Sequence, residues 1–271
     1  MTPQQKTVLT EGTDARQLKQ VATDLAGSQV PEDPAALAPF LGQAGFLSRL
    51  DPAPAYDGAY TGLRLARVLR NLANNAIPAA REVLLDLTET PTFEDHVLRI
   101  QLLIHNLAVV RPSPPRAVVY WQRYATANGV VAFDVVQALV ENQSPPAMTL
   151  LQSILTNPGH SMPNITAWLR QIVLPKRNDI PLLACCHQTL LHPVSKETGV
   201  RIVEALFDYD REGWYRSCSP PEPPPFALAL PVAREHLEAI GTHALEHLPL
   251  GETLSAKVKA TVKSMHGQKP Q

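Results

Sequence analysis

Four stretches decide the fold: residues 78–87, PAAREVLLDL; residues 115–124, PRAVVYWQRY; residues 146–155, PAMTLLQSIL; and residues 181–190, PLLACCHQTL. Each begins with a proline that follows a polar hinge. In each, the second, fifth and ninth residues after the proline are apolar: Ala80, Val83 and Leu87; Ala117, Tyr120 and Tyr124; Met148, Leu151 and Leu155; Leu183, Cys186 and Leu190. That spacing sets three side chains on one helical face. Proline suits the first helical position because the N–H it lacks would be unpaired there. The unit recurs every 31–37 residues, the period of a helix-pair repeat.

Outward from these four, the same periodicity predicts their partners. Leading helices are expected over Gly58–Asn74, with Leu65, Val68, Leu69 and Leu72 as the buried stripe, and over Phe93–Val110, Val130–Val140 and Ile165–Val173; Thr198–Tyr209 opens a fifth pair. The stretch 93–110 is apolar almost all round, so it is placed centrally, with neighbours on several sides. Ahead of the repeats, residues 1–12 are expected to fray, Asp14 to cap a helix over 15–26, and one further helix to run over 35–50. Residues 1–57 are read as a terminal cap for the stack, residues 58–218 as the repeats, and residues 219–271 as a proline-rich linker and a carboxy-terminal helical hairpin. The linker begins in Ser217-Cys-Ser-Pro-Pro-Glu-Pro-Pro-Pro225, whose composition favours extended polyproline II. Strand-type alternation never lasts beyond four or five residues. The expected fold is all-α, with about ten to twelve helices in a right-handed superhelix.

Composition narrows the function classes. The formal net charge is −1 over 271 residues and the pI is about 6.8, which argues against a chain built throughout for nucleic acid or an anionic membrane. The most apolar run, Val97 to Val110, is interrupted by Arg99, Gln101, His105 and Asn106 and is too short to span a bilayer. The polar opening, MTPQQKTVLTEGTDARQLKQ, has no signal-peptide core, and a cytoplasmic location is expected. Cys185, Cys186 and Cys218 show no metal-ligand spacing, and Cys186 lies on a core stripe, so packed thiols are expected.

Helix pairs at this period with short polar hinges resemble the HEAT and armadillo class of α-solenoids over about residues 58–210. The leading helix ending in Arg70-Asn-Leu-Ala-Asn-Asn75 is similar to an armadillo unit; the prolines opening the second helices are closer to a HEAT pattern. The resemblance implies a curved stack with a concave surface that binds a protein partner, or in some members a nucleic acid.

Candidate binding residues follow from charge and aromatic type. Residues 61–127 hold eight arginines, no lysine and five acids. Arg64, Arg67 and Arg70 lie on one leading helix, and Arg81, Arg99, Arg111, Arg116 and Arg123 follow. Guanidinium forks match carboxylate and phosphate bidentately, so Arg64, Arg67, Arg70, Arg99, Arg116 and Arg123 are candidates for an anion-binding or partner-binding groove. The bland alternative is a solvated face paired with Glu82, Asp86, Glu89, Glu94 and Asp95. Trp121 and Trp168 are candidate anchors, of the type that dominates protein hot spots. Some HEAT-like DNA glycosylases hold a damaged nucleotide with tryptophans and an acid, which makes Trp121 and Asp134 worth locating. His243 and His247 share a helical face near His236, but they match no metal motif. The chain shows no P-loop, dinucleotide fingerprint or nucleophile elbow. The reading expects a non-enzymatic scaffold without metal or cofactor, with a nucleic-acid-binding protein or glycosylase as the alternative.

Overall fold

The computed structural model describes residues 1–51, 64–94, 96–125, 130–156, 180–192, 196–208 and 231–266. Among them all regular structure is helical: fifteen α-helices and one 3₁₀ turn, with no strand. The chain divides into two compact units, Met1–Ser144 and Pro145–Gln271. The expected amino-terminal cap belongs to the first and the expected hairpin to the second.

The first unit runs α1 (Pro3–Glu11), α2 (Ala15–Gly27), α3 (Glu32–Leu41), α4 (Ala44–Leu50), α5 (Arg64–Asn74), α6 (Pro78–Asp86), a 3₁₀ turn (Leu87–Glu89), α7 (Pro91–Glu94), α8 (Val97–Val109), α9 (Pro115–Ala125) and α10 (Val130–Asn142). One layer stacks α2 on α5, α5 on α8 and α8 on α10. In the other, α3 packs on α6, and α9 packs against the 3₁₀ turn that ends α6. The central α8 buries Ile100, Leu102, Leu103, Ile104 and Leu107, as its near-uniform apolarity predicts.

Two asparagines set the register of the first layer. Asn75 donates from Nδ2 to the carbonyls of Ala26 and Ser28 at 2.9 Å each, closing the end of α2. Its Oδ1 accepts from the Ile77 N–H at 3.0 Å, turning the chain into Pro78 and α6. Asn142 does the same for the pair α8–α10. Its Nδ2 reaches the carbonyls of Ala108 and Val110 at the end of α8, at 2.9 and 3.0 Å, and its Oδ1 accepts from the Ser144 N–H at 3.1 Å and the Ser113 hydroxyl at 2.6 Å. Asn71 adds a bond to the Thr23 carbonyl, one turn before the Asn75 contacts. The bonds advance together along both partners, so α2 and α5 run in the same direction, and so do α8 and α10. They also satisfy carbonyls that a helix end leaves without partners.

The other helix ends have equally local causes. Thr2 and Gln5 form a capping box that starts α1 at Pro3. Arg49 closes α1 by donating to the carbonyls of Gly12 and Leu9 at 2.7 and 2.8 Å. The expected fraying of residues 1–12 is therefore corrected. The helix expected over 35–50 is two, because Gln43 is extended (φ −100°, ψ 121°). The one expected over 93–110 is also two, because His96 is extended (φ −139°, ψ 114°). These breaks account for part of the excess over ten to twelve helices.

The second unit comprises α11 (Pro145–Thr156), α12 (Ile180–Leu191), α13 (Lys196–Phe207), α14 (Pro231–His247) and α15 (Glu252–His266). Helix α12 lies between α11 and α14, while α13 packs on α14 and α15. Of the twelve stripe residues that define the proline-led pattern, only Met148 and Tyr124 are not fully buried. The expected helix over 165–173 and the proline run 217–225 lie outside the described residues. No described helix is long and apolar enough to cross a membrane.

Candidate functional site

The arginine face of α5 begins with a cap. The Asp51 carboxylate accepts from the N–H groups of Arg64 and Leu65 at 2.9 and 3.0 Å, and the Arg64 guanidinium lies 3.7 Å from it. A carboxylate at a helix N-terminus meets both unpaired donors and the positive end of the dipole. Arg64 also donates to the Leu50 carbonyl, so it is committed within the molecule. Arg67 and Arg70, three residues apart, are exposed and have no partner among the described residues.

The remaining candidates are spread rather than gathered. Arg99 is half-buried and donates to the Thr92 carbonyl at 2.8 Å; burial pulls its pKa below the ordinary value, and the charge of Asp51 acts the other way. Arg116, on α9, reaches Asp86 at 3.0 Å, Glu89 at 3.2 Å and Glu82 at 3.7 Å. Burial opposes its charge, but the hydrogen bonds and charges of Asp86 and Glu89 outweigh that and hold its pKa up. Arg123 closes on Glu94 with its guanidinium 5.9 Å from the Tyr120 ring centre. The hinge acids thus take Arg116 and Arg123, and the arginines do not form one open groove. Trp121 is fully buried, its Nε1 donating to the Ile104 carbonyl at 3.4 Å; an indole that fills the α8–α9 contact offers no surface to a partner or a flipped base. Trp168 lies outside the described residues.

A polar cluster that the sequence reading had only touched on sits between α8 and α10. Asp134 is buried; it accepts from Gln101 Nε2 at 2.5 Å and pairs with His105 Nε2 at 2.9 Å. A carboxylate that only accepts places a proton on Nε2. No Ser, Thr or Cys bonds to His105 among the described residues, and Asp134 orients its imidazole. Its signal in the sequence was Gln101 and His105, one turn apart on an apolar helix, which demanded a buried partner.

Compared with protein-family models, with characterised proteins and with solved structures, the chain gives no match.

In the second unit the structure adds a member to the histidine group. His187 of α12 faces His236 of α14 with ring centres 6.1 Å apart, while His243 and His247 lie at 4.6 Å. No set of three ligating side chains among the described residues is arranged to hold a metal ion. Cys185 and Cys186 are buried, and burial pushes the Cys185 thiol up to about 11 and Cys186 higher still. Thiols so disposed stay protonated and inert. Cys218 and Trp214 lie outside the described residues.

Proposed function

We propose that this chain is a HEAT/armadillo-like α-solenoid scaffold, a right-handed stack of helix pairs that works without a cofactor by holding a protein partner in the cytoplasm. The observation that carries the reading is the layer α2–α5–α8–α10, in which Asn75 joins the pair α2–α5 and Asn142 plays the same part in the pair α8–α10. A preformed stack recognises its partner with little ordering cost, which favours binding over chemistry. Arg67 and Arg70 are its available directional contacts, suited to acidic side chains on the partner.

The test uses the full chain as bait, with retained proteins identified after washing at moderate salt. A specific partner is expected whose recovery falls at least about tenfold in Arg67→Ala/Arg70→Ala, roughly the loss of one good charged contact. Duplex DNA is the control: a gel shift that weakens steeply with salt and disappears in the double variant replaces this reading with the nucleic-acid one. Recovery that the double variant leaves unchanged removes α5 from the docking face.

A further inference from the structure

Helix α12 contributes one imidazole to its contact with α14, the half-buried His187. Its ring meets His236 edge-on at 6.1 Å between centres, and His243 stands two turns further along α14, 4.6 Å from His247. Burial holds the His187 pKa below the ordinary value, and among the described residues the charges of His236 and His243 push it the same way. Among the described residues, the charges that shift His187 include no carboxylate. Helix α11 carries no charged residue. On α13, Arg201 lies 3.7 Å from Glu197 and 3.5 Å from Glu204, and Lys196, at the start of the helix, is exposed. On α14, Arg234, Glu235, Glu238 and Glu246 share the helix with the histidines, and Glu246 lies 3.6 Å from His247, at the end away from His187. On α15, Lys257 binds Asp208 at 2.7 Å, and Glu252, Lys259 and Lys263 are exposed.

We propose that the α12–α14 seam is an acid-sensitive joint: protonation of His187, His236 and His243 sets like charges across it and loosens the contact between the two helices. The sign follows from linkage. An unfolded chain leaves His187 at about 6.5, so as pH falls the unfolded state takes the proton first. Stability from a neutral His187 is complete above that value and is lost as pH falls through the lower folded value. Histidine is the side chain whose ordinary titration falls in this window.

The test follows the imidazole C2–H resonances of the full chain by NMR between about pH 8 and about pH 5. His187 is expected to titrate below the ordinary histidine value, and both His236→Gln and His243→Gln should move its midpoint upward. Urea midpoints over the same range give the consequence: the fall on acidification should be smaller in His187→Gln than in the wild type. A His187 that titrates at or above the ordinary value, or that neither α14 substitution moves, overturns the proposal. Because those substitutions lie on the far helix, the NMR result stands even if His187→Gln folds poorly.

Discussion

The two units solve the same problem, holding helices side by side, by different means. In the first, helices are fixed through their ends: Asn75 and Asn142 close preceding helices, Asp51 opens α5 and Arg49 closes α1. In the second, they are fixed through their sides. Gly199 and Gly241 let neighbours approach until an added Cβ would meet Leu248 Cδ2 at 2.9 Å or Val262 Cγ2 at 2.6 Å. A side-chain bond between α11 and α12 is the weak one from Cys185 Sγ to the Met148 carbonyl at 3.6 Å. End contacts specify register, since a carbonyl accepts at one position only; side contacts specify distance.

The sharpest way to break this contrast is to remove an end contact. Asn142 is buried and joins four groups: two carbonyls of the α8 end, the Ser113 hydroxyl and the Ser144 N–H. Asn142→Ala strands several buried polar groups, each worth 1–3 kcal/mol when unsatisfied, so a loss of about 3 kcal/mol is expected in urea denaturation. Asn142→Asp keeps the acceptor but cannot donate to the carbonyls, and it should recover little. A loss below about 1 kcal/mol would mean that apolar packing sets the register in both units.

The side contacts predict the next effect. Gly241→Ala gains about 1 kcal/mol of helix propensity, yet its Cβ meets Val262 Cγ2 at 2.6 Å and Val258 Cγ1 and Phe207 Cζ at 3.3 Å each. Val258 and Phe207 are fully buried, and valine is stiff at χ1, so the helices must part. Overpacking of this kind costs about 1–3 kcal/mol, leaving a net loss of up to about 2 kcal/mol by thermal melting. Gly199→Ala meets only the flexible end of Leu248 and one methyl of Leu190, and should cost less. Equal losses at the two glycines would show that the tight approach at Gly241 relaxes freely.

The proline-led stripe made the helices legible because burial follows spacing: Leu87, Leu155 and Leu190 occupy one slot and all are buried. The slot fails at Tyr124, where Tyr120 and Trp121 already fill the core and the second ring meets the first edge-on, 5.0 Å between centres. The clamps were legible in principle. Asn-x-x-Pro stands at 75–78 and 142–145, and again at 178–181, whose asparagine lies outside the described residues. The charge pattern was not legible in the same way. Whether an arginine meets solvent or a hinge acid depends on which turn of the next pair lies over it, and periodicity along one helix carries no information about that. The same limit hid Asp134 from Gln101 and His105, and His187 from His236.

The smallest predicted effect concerns Arg116, where the bonds are most numerous. It reaches three acids, but all are well exposed, with side-chain accessibilities of 63–66%, and its own is 36%. Water screens each pair, and holding four long side chains in one geometry costs rotamer entropy. Arg116→Ala should therefore lower stability by less than about 1 kcal/mol, and the difference from wild type should shrink further as salt rises and the Debye length shortens. Its other contact, to the Leu85 carbonyl at 3.2 Å, ties α9 back to α6 and is the one that could raise the figure. Arg116→Gln separates the two: a glutamine amide can still donate to that carbonyl while the charge is gone. If Ala loses clearly more than Gln at high salt, α9 is held by an end contact of the kind seen at Asn75 and Asn142. If Ala and Gln lose the same small amount, the three acids do no more than keep Arg116 occupied, leaving the open charge of α5 to Arg67 and Arg70.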